Sequence, residues 1–137
     1  MNASVKPFLD TNVPIYAYTG TDDPRAVIAK RLVASGGLIG VQQLNEFVFV
    51  ARRKLRKSWQ EIRTALEDLR FFCPVPIPLT ERTHEAALDI GERHGYPIYD
   101  SLVIASALEA TSKILYSEDM QHNQRIQGLT IRNPFSR

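Results

Sequence analysis

In the stretch Phe-Leu-Asp-Thr-Asn at residues 8–12, a short apolar run ends directly at an acid in a polar turn, as expected where a buried strand ends. The run Ile-Leu-Tyr-Ser-Glu-Asp at residues 114–119 repeats this pattern near the other end of the chain. A carboxylate at the end of a buried strand is costly unless something positive meets it. Either acid alone could simply cap the helix or turn that follows. Gathered at one edge of a sheet, such acids would form a site for a hard divalent cation.

Length and composition favour one globular domain. The 137 residues can bury a core that is stable alone, and 44% hydrophobic residues with 23% charged residues are typical of a soluble protein. A formal net charge of +2 is too small to indicate nucleic-acid binding by itself. The lone Cys73 excludes an intrachain disulfide and a cysteine-built metal cluster, and it suits a reducing cytosol.

The N-terminus lacks the pattern of a secretion signal, and no apolar run is long enough to span a membrane. We therefore expect residues 1–137 to form a single cytoplasmic domain that has no membrane partner.

The apolar pattern predicts strands separated by helices. Strands are expected at residues 5–9, 38–41, 113–116 and 129–132, with at most a short strand around 75–77. Helices are expected at 12–18, from 23 to the Gly-Gly pair at 36–37, and at 42–57, 58–71, 80–94 and 98–110. Solidly apolar strands that alternate with helices are typical of an α/β fold with helices on both faces of a parallel sheet. Ligands bind beyond the carboxyl ends of the strands in such sheets, and Asp10 and Asp119 both follow such ends.

Two further acids lie at the start of, or inside, predicted helices. Asp100 precedes a helix that is apolar on nearly all sides, so an ordinary interaction with the helix dipole can explain it. Glu46 is harder to explain, since it lies opposite the apolar stripe of its helix and yet has Phe49 and Val50 as its i+3 and i+4 neighbours. A solvated polar face rarely combines these residues. We interpret Glu46 as a functional residue beside a pocket or a subunit contact.

A basic run, Arg52-Arg53-Lys54, continues in Arg56 and Lys57 at the C-terminal end of the same predicted helix. Cations are favoured at that end by the helix dipole. They would equally form a positive flank beside an acidic pocket, suited to a phosphate backbone. Both interpretations stay open, and they are compatible with each other.

These segments, in this order and at these spacings, resemble the PIN domain. The resemblance rests on Phe-Leu-Asp10-Thr-Asn, on Glu46 in the helix after the second strand, on Tyr-Asp100-Ser-Leu-Val-Ile-Ala, and on Leu-Tyr-Ser-Glu-Asp119. The ending Ile-Arg-Asn-Pro-Phe at residues 131–135 is similar to the last strand of VapC-like toxins, the ribonuclease halves of bacterial type II toxin–antitoxin pairs. Each motif is short, but four in register are fairly specific.

The resemblance implies a three-layer sandwich around a central parallel sheet, the PIN-like fold. It also implies Mg²⁺ or Mn²⁺ as cofactor, metal-dependent cleavage of RNA, a homodimer, and a cognate antitoxin protein that blocks the acidic site. Carried over by position, the family's acidic residues fall on Asp10, Glu46, Asp100 and Asp119.

The resemblance also suggests a role for each group. Asp10, Asp100 and Asp119 are expected to hold the metal, with Glu46 completing the site. The hydroxyls of Thr11 and Ser117 are expected to support the metal or the substrate phosphate, and RNA would bind along Arg52, Arg53 and Lys54. Glu118, beside Asp119, leaves open which of the two acids faces the metal.

Other classes of protein compete with this interpretation. A phosphoacceptor receiver module is also an α/β domain with an acidic Mg²⁺ pocket, but it needs adjacent acids after the first strand and a lysine after the last. Here Thr11 follows Asp10, and Lys113 precedes its strand, so the receiver pattern fits poorly. A catalytically silent RNA- or protein-binding domain of the same PIN-like fold is the second alternative, and the complete set of acids argues against it. A Mg²⁺ nuclease of the same fold that acts on DNA is a third alternative, on which the sequence gives little information.

Overall fold

The computed structural model describes residues 6–19 and 22–136 of the chain. Within these residues, strands and helices follow one another in an α/β arrangement. The strands are β1 (Phe8–Leu9), β2 (Ile114–Tyr116), β3 (Arg125–Ile126) and β4 (Leu129–Arg132). The helices are α1 (Asn12–Thr19), α2 (Arg25–Ala34), α3 (Val41–Arg53), α4 (Trp59–Phe72), α5 (Glu81–His94) and α6 (Ile98–Glu109). No helix in these ranges is long and apolar enough to cross a membrane.

The sheet is parallel at its centre, as predicted. Its strand order is β1-β2-β4-β3, with β1, β2 and β4 parallel and β3 antiparallel to β4. The predicted strand at 38–41 is reduced to single parallel bridges, in which Leu38 pairs with Phe8 and Gly40 pairs with Ile77. These bridges extend the parallel edge beyond β1. The predicted strand at 5–9 begins outside the described residues.

Consecutive side chains of β1 enter two different apolar clusters, as the two-residue period of a strand requires. Phe8 packs with residues of α5, α6, β2 and β4, whereas Leu9 packs with residues of α1, α2 and α4. Helices therefore cover both faces of the sheet, and the three-layer prediction is confirmed. The predicted all-round apolar helix is α6, which is buried continuously from Ser101 to Ala107.

Where the sequence contains capping residues, the helices begin and end beside them. Thr80 caps α5, and Gly95 ends that helix at a φ of 79°, a left-handed conformation that glycine adopts without steric cost. The helix predicted at 42–57 is shorter and ends at Arg53, because the backbone of Arg56 has a φ of 55°, which a right-handed helix cannot accommodate. The basic run is thereby divided between the helix and the turn after it.

Replacing Ser58 with Ala is expected to lower the free energy of unfolding by about 1 kcal/mol. The Ser58 hydroxyl accepts a hydrogen bond from the Glu61 amide at 3.0 Å, and the Glu61 carboxylate accepts one from the Ser58 amide at 2.9 Å. Urea unfolding measures the change. Thr64→Ala, at an exposed position inside the same helix, is the matched control and should cost nothing because alanine is the better helix former. An equal loss in both variants would show that the cap contributes nothing.

Candidate active site

Asp10 lies where the parallel pairing of β1 and β2 ends. Leu9 pairs with Tyr116, and the Asp10 amide donates to the Tyr116 carbonyl at 3.0 Å, so the next residues, Asp10 and Ser117, lie side by side. One carboxylate oxygen of Asp10 accepts a hydrogen bond from the Ser117 hydroxyl at 2.7 Å. The other accepts one from the Thr11 amide, also at 2.7 Å. These two bonds fix the carboxylate of Asp10, a residue that is only 6% exposed.

The surroundings of Asp10 make its charge costly. Burial raises the pKa of Asp10 from 3.8 to about 6, although the bonds from Ser117 and Thr11 oppose the shift. The charged groups that contribute to the shift are Glu46 and Asp119, and both raise the pKa further. A buried carboxylate whose charged neighbours are other carboxylates is a site that a cation would stabilise.

The polar residues that follow β1 hold two of the other acids. The Thr11 hydroxyl donates to one carboxylate oxygen of Glu46 at 2.6 Å. The side-chain amide of Asn12 donates to Asp119 at 3.2 Å, although the two residues are 107 positions apart in the chain. The turn at residues 10–12 therefore contacts both Glu46 and Asp119, and Thr11 positions an acid directly.

Asp100 lies in the first turn of α6. The positive end of a helix dipole ordinarily favours a charged carboxylate, but the pKa of Asp100 is raised, first by burial and then by Asp119 and Glu46. Burial, together with these two acidic neighbours, therefore makes the charge of Asp100 costly, which is not typical of a simple capping carboxylate. Asp10 and Asp100 each interact electrostatically with Glu46 and Asp119, so the fold brings all four predicted acids into one region.

Glu118 belongs to a different set of contacts. Its carboxylate forms an ion pair with the Arg25 guanidinium at 2.8 Å and accepts a hydrogen bond from the Tyr16 hydroxyl at 2.6 Å. The Arg25 guanidinium also lies over the Tyr16 ring, 4.3 Å from its centroid. Asp119 instead contacts Asn12, and its amide donates to the Ser117 hydroxyl at 3.3 Å. The structure thus places Asp119, and not Glu118, beside the other acids.

The donor chemistry of this region fits a hard cation such as Mg²⁺, which prefers carboxylate and amide oxygens. The side-chain oxygen of Asn12 is buried and has no hydrogen-bond partner among the described residues, so one further oxygen is available there. The acidic side chains are, however, spread apart. Within residues 6–19 and 22–136, no three acidic, histidine or cysteine side chains are close enough to hold an ion as they stand. Sharing a cation would require side-chain rotation, for which the exposed Asp119 has room.

The predicted RNA-binding residues lie outside the acidic region. Arg52 and Arg53 form the last turn of α3, and Lys54 follows as its C-cap. All three are exposed. Arg53 is seven residues beyond Glu46, about 10 Å along the helix axis, so the acids and the cations occupy neighbouring parts of one surface.

Several residues at this site were not predicted from the sequence. Asn12 was expected only at the start of the helix at 12–18 and was given no role in the site, although it is adjacent to the Asp10-Thr11 pair. Gln42, one turn before Glu46 on α3, donates to the second carboxylate oxygen of Glu46 at 3.4 Å. A search for polar side chains at i−4 from Glu46 would have found it. Arg25 and Tyr16 carried no local signal, because their partner is about a hundred residues away.

The family model of the PIN domain matches residues 8–125 of the chain. The fold is similar to the crystal structure of VapC20 from Mycobacterium tuberculosis, described as a toxin that cleaves the sarcin–ricin loop. That match has a TM-score of 0.63 and 21% sequence identity, and it covers 82% of this chain and 88% of the other. Comparison with curated proteins gives no match. Because the family model covers most of the sequence, the chain belongs to the PIN domain family.

Proposed function

We propose that this chain is a metal-dependent endoribonuclease and acts as the toxin of a toxin–antitoxin pair. One observation carries the proposal: Asp10 and Asp100 each interact electrostatically with Glu46 and Asp119, and the pKa values of Asp10 and Asp100 are raised. Perturbed carboxylates gathered in one place are characteristic of catalytic and metal sites. Membership of the PIN family and a fold shared with an RNA-cleaving toxin support the same proposal.

In this proposal Asp10, Asp100 and Asp119 would hold Mg²⁺, with Mn²⁺ as a substitute. When bound, the ion supplies charge stabilisation at the phosphate and lowers the pKa of water. The protein's own contribution is positioning. Ser117 and the Thr11 amide fix the Asp10 carboxylate, and Thr11 holds one oxygen of Glu46. Gln42 donates to the second oxygen of Glu46, and in this proposal that oxygen would also accept a proton from the attacking water, so that no nucleophilic side chain is required.

Arg52, Arg53 and Lys54 bind the RNA backbone in this account. Contacts of this kind position a strand without reading its sequence. Their position beyond Glu46 on the same helix supports a path for RNA that leads from the acids along α3.

The proposed partners are a cognate antitoxin and a second copy of the chain, and the proposed place of action is the cytoplasm. Phe71 and Val75 support the existence of a protein partner, since these large apolar side chains are 77% and 72% exposed. The two residues are four positions apart in the chain, and exposed apolar patches are characteristic of interaction surfaces. Which partner covers them is a separate question from catalysis.

The purified chain is expected to cleave a single-stranded RNA in the presence of Mg²⁺ and to lose this activity when EDTA is added. A DNA strand of the same sequence is the matched control and should stay intact. The analysis of products by gel electrophoresis distinguishes the alternatives. RNA binding without cleavage would indicate a catalytically silent domain, and equal cleavage of the DNA would indicate a DNA-directed enzyme. Cleavage that persists in EDTA would contradict the metal requirement.

A further inference from the structure

A second surface lies on α3 and α4, beside the acidic region. Phe49, Arg52, Arg53 and Trp59 line a shallow depression of about 500 Å³, together with Asn45 and Val48. We call these residues the aromatic–basic surface. The proposed nuclease mechanism uses only its two arginines.

The two aromatic rings are not core residues. Phe49 and Trp59 are each 57% exposed, and they line one depression, so that they form an apolar patch of the kind that marks interaction sites. Each ring is accompanied by an arginine. The Arg52 guanidinium lies 5.0 Å from the centroid of the Trp59 ring, and that of Arg53 lies 5.8 Å from the centroid of Phe49.

The positive charge of the aromatic–basic surface favours a polyanion as the molecule that binds there. Residues 47–60 contain five cations and no acid. Arg52 also donates a hydrogen bond to the Lys57 carbonyl at 3.0 Å, which holds the turn containing Arg56 and Lys57 against the end of α3. Aromatic faces set among cations are the arrangement that binds single-stranded nucleic acid, because bases stack on the rings while phosphates meet the charges.

The surface is continuous with the acidic region. Phe49 and Arg53 are the i+3 and i+7 residues of Glu46, so all three share one face of α3. Glu46 contacts Thr11 at the acidic end, and Arg53 lies about 10 Å away along the helix. A strand bound at the acids can therefore reach both rings within a few nucleotides.

We propose that the aromatic–basic surface binds unpaired nucleotides of the RNA next to the scissile bond. Bases stack on Phe49 and Trp59, and phosphates contact Arg52 and Arg53. A double helix hides the faces of its bases, so the surface selects single-stranded RNA. The choice of RNA rests on the proposed function, while the stacking platform rests on the rings and cations alone.

Trp59 is the only tryptophan in the chain, so intrinsic tryptophan fluorescence reports on this surface alone. In EDTA and low salt, a single-stranded RNA oligonucleotide is expected to quench this fluorescence, and a duplex of the same sequence to quench it far less. Phe49→Leu should weaken single-strand binding by about tenfold or more. Leu88→Ala removes an exposed apolar side chain of α5 outside the surface, and it should leave binding unchanged.

Fluorescence anisotropy of a labelled RNA separates stacking from charge. Trp59→Phe should retain most of the affinity, whereas Trp59→Ala should lose it. Arg53→Gln should reduce the slope of log affinity against log salt by about 0.7, the value for one phosphate contact on a single strand.

RNA binding without quenching of Trp59, or no RNA binding at all, would overturn the proposal. So would a Phe49→Leu variant that keeps its RNA affinity but converts a dimer to a monomer in light scattering, since that result assigns the surface to a protein contact. The titration contains a chelator and measures no cleavage. Failure of the nuclease assay and failure of this inference are therefore distinguishable.

Discussion

Replacing Asp10 with Asn is expected to slow Mg²⁺-dependent RNA cleavage by about a thousandfold or more, since several kcal/mol of charge stabilisation depend on the metal. Asparagine has nearly the same shape as aspartate but carries no charge. Its amide can keep both local contacts, accepting from the Thr11 amide and donating to the Ser117 hydroxyl, which is able to accept. The initial rate of RNA cleavage measures the effect, and circular dichroism checks that the fold is intact.

Glu118→Gln is the matched control, because it removes a charge only one residue from Asp119. The Glu118 carboxylate is bound to Arg25 and Tyr16, outside the acidic region. We expect its loss to change the cleavage rate by no more than a few fold. Activity retained in the Asp10 variant, or lost equally in both variants, would remove Asp10 from its proposed role.

The same Asp10→Asn variant is expected to be more stable than the wild type in the absence of metal. Burial raises the pKa of Asp10 in the folded protein to about 6, whereas the unfolded chain has an ordinary value near 3.8. A charged Asp10 at neutral pH therefore destabilises the folded state, by an amount of the order of 3 kcal/mol. Urea unfolding in EDTA at pH 7 should show a gain of this order for the uncharged asparagine.

The stability of the wild type should also depend on pH in a direction that follows from the raised pKa of Asp10. Between about pH 4 and pH 6 the folded state binds more protons at Asp10 than the unfolded state, so stability falls as pH rises through this window. The metal-free wild type should show this fall, and the gap between the two proteins should close towards pH 4. Mg²⁺ should narrow the gap at pH 7, because an ion that binds only the folded state stabilises it. A variant that is less stable than the wild type at pH 7 in EDTA would contradict the account.

Much of the fold could be predicted because the apolar pattern and the helix-capping residues indicate the same strands and helices. Residues 8–9 are buried and residues 114–116 are buried or half-buried, and solidly apolar strands of this kind are typical of a parallel sheet covered by helices. Of the hairpin formed by β3 and β4, the apolar pattern predicts β4 but not β3. The strand β3 has only two residues, and one of them is an exposed arginine. The early end of α3 was missed because Leu55, Arg56 and Lys57 are all good helix formers, and nothing local indicates the left-handed backbone of Arg56.

The candidate site was predictable at the level of residue types and strand ends. Asp10 and Asp119 follow neighbouring parallel strands, and general rules bring such positions together. The hydrogen bonds that orient the acids were not predictable. They join Thr11 to Glu46 and Asn12 to Asp119, and such contacts depend on how helices settle on the sheet. The environment of Glu118 likewise depends on Arg25, 93 positions away.

The binding of Mn²⁺ to the RNA-free chain tests most directly whether these acids share a cation. Electron paramagnetic resonance at neutral pH measures the free ion. We predict that Mn²⁺ binding is saturable and that Mg²⁺ competes with it. Asp10→Asn and Asp119→Asn should each weaken the binding of Mn²⁺ by at least about tenfold, whereas Glu118→Gln should leave it unchanged. Equal binding of Mn²⁺ by the wild type and all three variants would contradict the proposal that Asp10 and Asp119 form a metal site.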